Sequence, residues 1–263
     1  MINNGRKLRV LWIILGLLSL MASSIGVFNP NIYDKVLDAS ILPATIAQDL
    51  MTMFVSLLVI VLALRFDTNQ LRQHLIIIGS LGFFFYAYMI YAIERLYTSL
   101  YLVYLGVIGL SFYSIVYSIL SIEQPIYSEV SISKNIRRLS SGYNILSAGV
   151  FSLIWISQLI PLMQSGNKPE FLYSIYIIDL CFILPTLVIS GLLALRGNGF
   201  GVLMLVPTSI IGFTILAPLW LSELMKPVFY GNRTSYPEMS LFLVVSTIFL
   251  VLTIFDLRSL ENE

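Results

Sequence analysis

Residues 43 to 65 read PATIAQDLMTMFVSLLVIVLALR, an apolar run that opens on Pro43, closes on Arg65 and carries one charge between them, Asp49. At about 1.5 Å per residue, a helix of this length crosses a hydrocarbon core of roughly 30 Å. In lipid only a helix satisfies every backbone N–H and C=O from within its own segment, so this stretch predicts a transmembrane helix. Seven further runs share its character: 10 to 28, 75 to 93, 96 to 120, 143 to 163, 171 to 195, 200 to 222 and 239 to 255, each bounded by charges. The alternation expected of barrel strands is missing from all of them. A chain of 263 residues that is 58% hydrophobic, with mean hydropathy +0.90, lies outside soluble composition. The expected fold class is therefore an all-α integral membrane protein, an eight-transmembrane-helix bundle.

Lysine and arginine set the expected orientation. Counting alternate loops, one side holds Arg6, Lys7, Arg9, Arg65, Arg72, Lys134, Arg137, Arg138, Arg196 and Arg258; the other holds Lys35, Arg95, Lys168, Lys226 and Arg233. The richer side is the cytoplasmic one by the positive-inside rule, which places both termini in the cytoplasm of a multi-pass cell-membrane protein. The first run, with its basic start and the small residues Ala22, Ser23 and Ser24, also fits a cleavable signal peptide, which would leave seven spans. A net charge of +1 spread over loops offers no nucleic-acid surface.

The basic segment 121 to 142 divides the chain into a first half, 1 to 120, and a second, 143 to 263, with four spans each. The second span of each half carries a related pattern: Asp49, Leu50, then Ala63, Leu64, Arg65 against Asp179, Leu180, then Ala194, Leu195, Arg196. Even-numbered halves imply a 4+4 parallel repeat, its axis along the membrane normal. Chance similarity between two apolar helices ending in arginine is the simpler alternative.

An ionisable residue inside a span is costly, and it marks either a functional site or a helix-locking hydrogen bond. Asp49 lies roughly 9 Å along its helix from Pro43 at about 1.5 Å per residue. Thr45, Gln48, Asp49, Thr52 and Ser56 form a polar stripe there. Asp179 sits nine positions after Glu170, in a stripe with Tyr176, Thr186 and Ser190, and Pro185 cannot donate to the Cys181 carbonyl, which predicts a kink just below the aspartate. Tyrosines point to the same outer leaflet: Tyr88 and Tyr91 with Arg95 on the third span, and Tyr97, Tyr101, Tyr104, Ser111 and Ser118 down the fourth. An interfacial aromatic belt accounts for Tyr97, Trp155 and Trp220, while Tyr88 and Tyr104 run deeper. The candidate ligand-binding residues are thus Asp49, Asp179, Gln48, Tyr88, Tyr91, Arg95, Tyr101 and Tyr104. They are expected to line one shared outward-opening cavity, with a proton, a cation or Arg95 relieving the two carboxylates.

Several chemistries lack their residues. His74, beside Arg72, is the only histidine and is expected to be solvated or to face lipid headgroups; Cys181 is the only cysteine, which precludes an intrachain disulfide. No H-E-x-x-H, Cys/His cluster, P-loop or G-x-S-x-G is present, so no metal, cofactor or catalytic residue is assigned.

On Thr45, Ile46, Ala47, Gln48 and Asp49, together with Asp179, Phe182 and Pro185, the chain resembles a broad group of uncharacterised prokaryotic polytopic membrane proteins. The resemblance runs through the second to fourth spans, including Tyr86, Tyr88 and Tyr91, and through the sixth and seventh. It implies the membrane architecture and marks both aspartates as family-type positions, but it brings no activity.

Three functional classes follow. A carrier or ligand-sensing protein would use an outward polar and aromatic pocket for a small molecule or cation. A membrane partner or assembly subunit would use its stripes as helix contacts and 121 to 142 as a docking surface for another protein. An intramembrane enzyme would need paired aspartates sharing a proton, yet neither Asp34 nor Asp179 lies in a Gly-x-Gly-Asp context.

Overall fold

The computed structural model describes residues 2–167 and 173–260. Among these, eight helices are long and apolar enough to cross a membrane, and they pack as an all-α bundle. The spans are α1 (Gly5–Phe28), α2 (Leu42–Leu64), α3 (Leu71–Ile93), α4 (Tyr101–Leu120) and, after the short loop helix α5 (Gln124–Glu129), α6 (Lys134–Ser165). The sixth span is broken into α7 (Tyr173–Ile178), a π-helical turn (Asp179–Ile183) and α8 (Leu184–Leu195). The last two are α9 (Gly199–Phe229) and α10 (Tyr236–Ser259). Residues 171 and 172 of the expected sixth span, and Lys168 and Glu170 before it, lie outside the described residues.

Several boundaries differ from the hydropathy limits, because caps rather than apolarity end a helix. The Ser133 hydroxyl accepts the Ile136 N–H at 3.4 Å, so α6 starts at Lys134, inside the basic segment expected to be loop. Helix α9 runs beyond residue 222 to Phe229; Glu223 pairs with Lys226 and accepts the Ser235 N–H at 2.9 Å, which holds this end together. The fourth span begins at Tyr101, later than expected, because Arg95 takes a left-handed φ of 59° and turns the chain.

Helices α3 and α9 form the centre, each 72% buried over its apolar window, whereas α6 is buried over only 11%. Gly79 makes the central crossing close: a Cβ there would stand 2.8 Å from Ile210 Cβ and 3.0 Å from the Pro207 carbonyl. Without a hydrophobic drive between helices in lipid, such small residues are what let backbones approach. Around this centre α1 packs on α2, α3 on α4, and α4 returns to α1. In the second half α6 packs on α8, α9 on α10, and α10 returns to α6. Across the halves, α2 leans on α9 and α7 leans on α3. The helix pairs within the two halves thus correspond, but α8 packs more heavily on α9 than α2 does on α3, and α2 more heavily on α9 than α7 does on α3.

The loops at one end are tied together. Ile2 N–H donates to the Thr68 carbonyl at 3.1 Å, Asn3 N–H to Ser121 at 2.8 Å, and Arg72 to the Leu260 carbonyl at 2.8 Å. Both described chain ends thus lie on the same face as the segment 121 to 142.

Candidate functional site

The Asp49 carboxylate is 1% exposed and is held by two phenols, Tyr33 donating to Oδ2 at 2.7 Å and Tyr91 to Oδ1 at 2.9 Å. Three elements make this possible. Helix α2 turns its Thr45, Asp49, Thr52 and Ser56 stripe inward; Pro30–Tyr33, a single 3₁₀ turn following α1, folds Tyr33 back under the bundle; and α3 supplies Tyr91. The fourth wall is Gly26 of α1, where any Cβ would collide with Asp49 Oδ2 and the Tyr33 hydroxyl. Burial first, then the neighbouring Asp49 charge, pushes the Tyr33 phenol well above its ordinary range, so it stays a donor.

A chain of aromatic rings leads outward from this carboxylate. Tyr33 meets Tyr91 at a centroid distance of 6.4 Å, Tyr91 meets Tyr104 at 5.3 Å, Tyr104 meets Tyr101 at 6.5 Å, and Tyr101 meets Tyr97 at 4.7 Å. Tyr97 is 64% exposed, whereas Tyr33 is 1% exposed, so the chain joins surface to interior. Tyr88 stacks beside it, 5.5 Å from Tyr104, and spends its hydroxyl on the Ser19 carbonyl of α1 at 3.1 Å. Thr98 donates to the Tyr104 hydroxyl at 3.1 Å.

The remaining expected residues are placed differently. Gln48 donates to the Ala87 carbonyl of α3 at 3.1 Å and so ties two helices, while Tyr101 donates to the Ala92 carbonyl at 3.1 Å. Arg95 is exposed and, among the described residues, pairs with neither aspartate, because its left-handed backbone turns it out at the end of α3.

Asp179 occupies a second, separate site. Pro185 lacks the N–H that would close an α-turn, and the ladder slips instead, Leu184 donating to the Asp179 carbonyl across five residues. The expected kink is thus a π turn that begins at the aspartate itself. Trp155 of α6 donates to Asp179 Oδ2 at 2.8 Å, Tyr86 of α3 lies beside the carboxylate, and Oδ1 has no well-formed hydrogen bond. Tyr176 packs edge-on to Trp155 at 5.6 Å and donates to Gln158 at 2.9 Å. The belt role expected of Trp155 is therefore replaced by a polar one.

Helix α3 stands between the two aspartates. Tyr91 serves Asp49 and Tyr86 lies by Asp179; five residues at about 100° each put them on widely separated faces. The single shared cavity expected from the sequence is in this structure two sites divided by α3.

His74 is also corrected. It is fully buried, donates from Nε2 to the Ser118 carbonyl at 2.8 Å, and lies 5.4 Å from the Trp12 ring, whose Nε1 donates to the Ser118 hydroxyl at 3.2 Å. Tyr33, Gly26 and Asp256 were not among the expected site residues: the first two carry no local signal, and Asp256 is the charge that closes the apolar run 239 to 255. No family model matches the chain, and neither does any curated protein or solved structure.

Proposed function

We propose that this protein is a membrane carrier or ligand-sensing protein in which Asp49 is the working group. One observation carries the reading: a fully buried carboxylate sits at the inner end of a tyrosine chain that begins at exposed Tyr97, and its side-chain hydrogen bonds among the described residues come from two neutral phenols. Phenols lower the cost of burying the charge without cancelling it, so a proton or a small cation completes the site. The tyrosine rings and hydroxyls offer polarisable faces and exchangeable hydrogens along the way.

The 4+4 repeat belongs to this proposal. Support comes from the corresponding helix pairs, α1 on α2 with α6 on α8, α3 on α4 with α9 on α10, and from the aspartates' own neighbours. Gly26 precedes Asp49 by 23 positions and Trp155 precedes Asp179 by 24, and each touches the following aspartate from the first helix of its half. The likeness to a broad group of prokaryotic polytopic proteins, and a cytoplasmic location for both termini, are held on the same footing.

The test is ligand-dependent stabilisation of purified protein in nanodiscs, screened against a metabolite library at two pH values. Asp49→Asn keeps the shape and removes the charge, and is expected to abolish any pH-dependent hit. If Asp49→Asn binds the same compound with the same pH dependence as the parent, Asp49 is a helix tie and the reading fails.

The second reading, an assembly subunit, is favoured by α6. Its outer half leaves Ile156, Ser157, Gln158, Ile160, Met163 and Gln164 exposed together, a mixed polar and apolar face suited to a partner helix. Co-purification of a membrane partner that is lost on Gln158→Leu would support it.

A further inference from the structure

The inner ends of α6, α9 and α10 enclose a polar cluster that the two aspartate sites above do not use. Asp256, in the last turns of α10, is 1% exposed; its Oδ1 accepts the Ser140 hydroxyl at 2.7 Å, and its Oδ2 has no partner among the described residues. Ser140 stands on α6 with Ser141 and Asn144, all three fully buried, and Asn144 lies one turn further along the same face.

Accounting for hydrogens shows what is missing. Asn144 Nδ2 donates to the Thr208 hydroxyl of α9 at 2.9 Å, and Thr208 passes its own hydrogen to the Met204 carbonyl at 2.7 Å, an arrangement that fixes the amide orientation. Asn144 Oδ1 is then left without a donor, as is Asp256 Oδ2, while Ser140 has already spent its single hydrogen. Ser141, on the neighbouring face of α6, also keeps an unpartnered hydroxyl, whereas Asp256, Ser140 and Asn144 between them hold one carboxyl group and two buried acceptors without a donor. Arg137, one turn before Ser140, buries an unpartnered Nε but makes no ion pair with Asp256. Arg72 is engaged with the Leu260 carbonyl, and Arg258 is exposed.

We propose that Asp256, Ser140 and Asn144 form a binding site for a small monovalent cation where α6, α9 and α10 meet. The donors are hard oxygens of the kind that alkali cations take, with no sulfur or imidazole to suit a transition metal. One carboxylate balances one charge, whereas divalent sites gather several, and the described residues contain no group of three acidic, histidine or cysteine side chains. A bound cation ties three helices together, so its occupancy is readable as stability.

The experiment uses the full chain in nanodiscs and compares sodium chloride with N-methylglucamine chloride at constant ionic strength, unfolding being followed by tryptophan fluorescence. A saturable rise in the unfolding midpoint with sodium is expected for the parent and for Asp49→Asn, and no rise for Asp256→Asn. Ser140→Ala and Asn144→Ala are expected to raise the half-saturating sodium concentration at least several-fold, which keeps the test decisive if Asp256→Asn fails to fold. Equal midpoints in the two salts, a sodium response retained in Asp256→Asn, or unchanged half-saturation in both alanine variants overturns the site. Because Asp49→Asn leaves this response intact, the outcome is independent of the reading of Asp49.

Discussion

Replacing Gly26 by alanine tests the geometry of the Asp49 site most directly. The added Cβ enters space now filled by Asp49 Oδ2 and the Tyr33 hydroxyl, and neither can retreat easily, one being short and doubly bonded and the other 1% exposed. Two responses are open: breaking a hydrogen bond to a charged acceptor costs about 1.5–3 kcal/mol, and pushing α1 away from α2 costs about 1–3 kcal/mol in overpacking. Alanine returns about 0.5–1 kcal/mol of helix propensity. The net expectation is a loss of about 1–2 kcal/mol. Gly109→Ala is the control, since a Cβ there meets nothing within 4 Å and only the propensity gain remains. Unfolding by graded addition of SDS to the protein in micelles, read by tryptophan fluorescence, gives both values. The sharper measurement is the double-mutant cycle with Asp49→Ala, which removes the atom struck; a coupling of about 1 kcal/mol or more is expected. If Gly26→Ala matches the parent, or the cycle is additive, α1 does not close over the carboxylate as described.

Trp155→Phe is expected to cost about 1.5–3 kcal/mol, because Asp179 Oδ2 loses its indole donor while Oδ1 has none to share; a change below 0.5 kcal/mol in the same SDS titration would remove Trp155 from the site. Pro185→Ala restores an N–H to the Cys181 carbonyl and should convert the π turn to α-helix, shifting the emission of Trp155 when Trp12 and Trp220 are phenylalanine; unchanged emission argues against proline as the cause. Tyr33 is pushed up by burial, so folding favours its neutral form: its contribution is complete below the ordinary tyrosine range and is lost as pH rises beyond it. The stability difference between parent and Tyr33→Phe should therefore narrow in alkaline solution, and a difference that stays constant through pH 11 would contradict it. In a Cys181→Ser background, cysteine introduced at Ser133 should escape an impermeant reagent in intact cells while one at Tyr97 reacts; the reverse pattern inverts the orientation.

Membrane residence, the number of spans and the inward stripe of α2 were legible in the linear chain, because the cost of bringing polar backbone into lipid acts on each segment by itself. Length and apolarity from 43 to 64 suffice to demand a helix, and Thr45, Asp49, Thr52 and Ser56 recur at helical spacing whatever packs beside them. The Pro185 irregularity was legible for the same reason, as a missing N–H is a local fact. What each polar group pairs with was not legible. Tyr33 comes from a turn and Gly26 from another helix, and only close approach of α1, α2 and α3 brings them to Asp49; Tyr86 and Tyr91, near neighbours in sequence, serve different aspartates because they leave α3 on different faces. His74 and Asp256 were misplaced by the rule that span ends are wet, which holds for isolated helices and fails where neighbouring helices and loops cover those ends. Local energetics therefore determined the helices of this protein, while the partners of its buried charges were decided by tertiary packing, which sums over residues far apart in the chain.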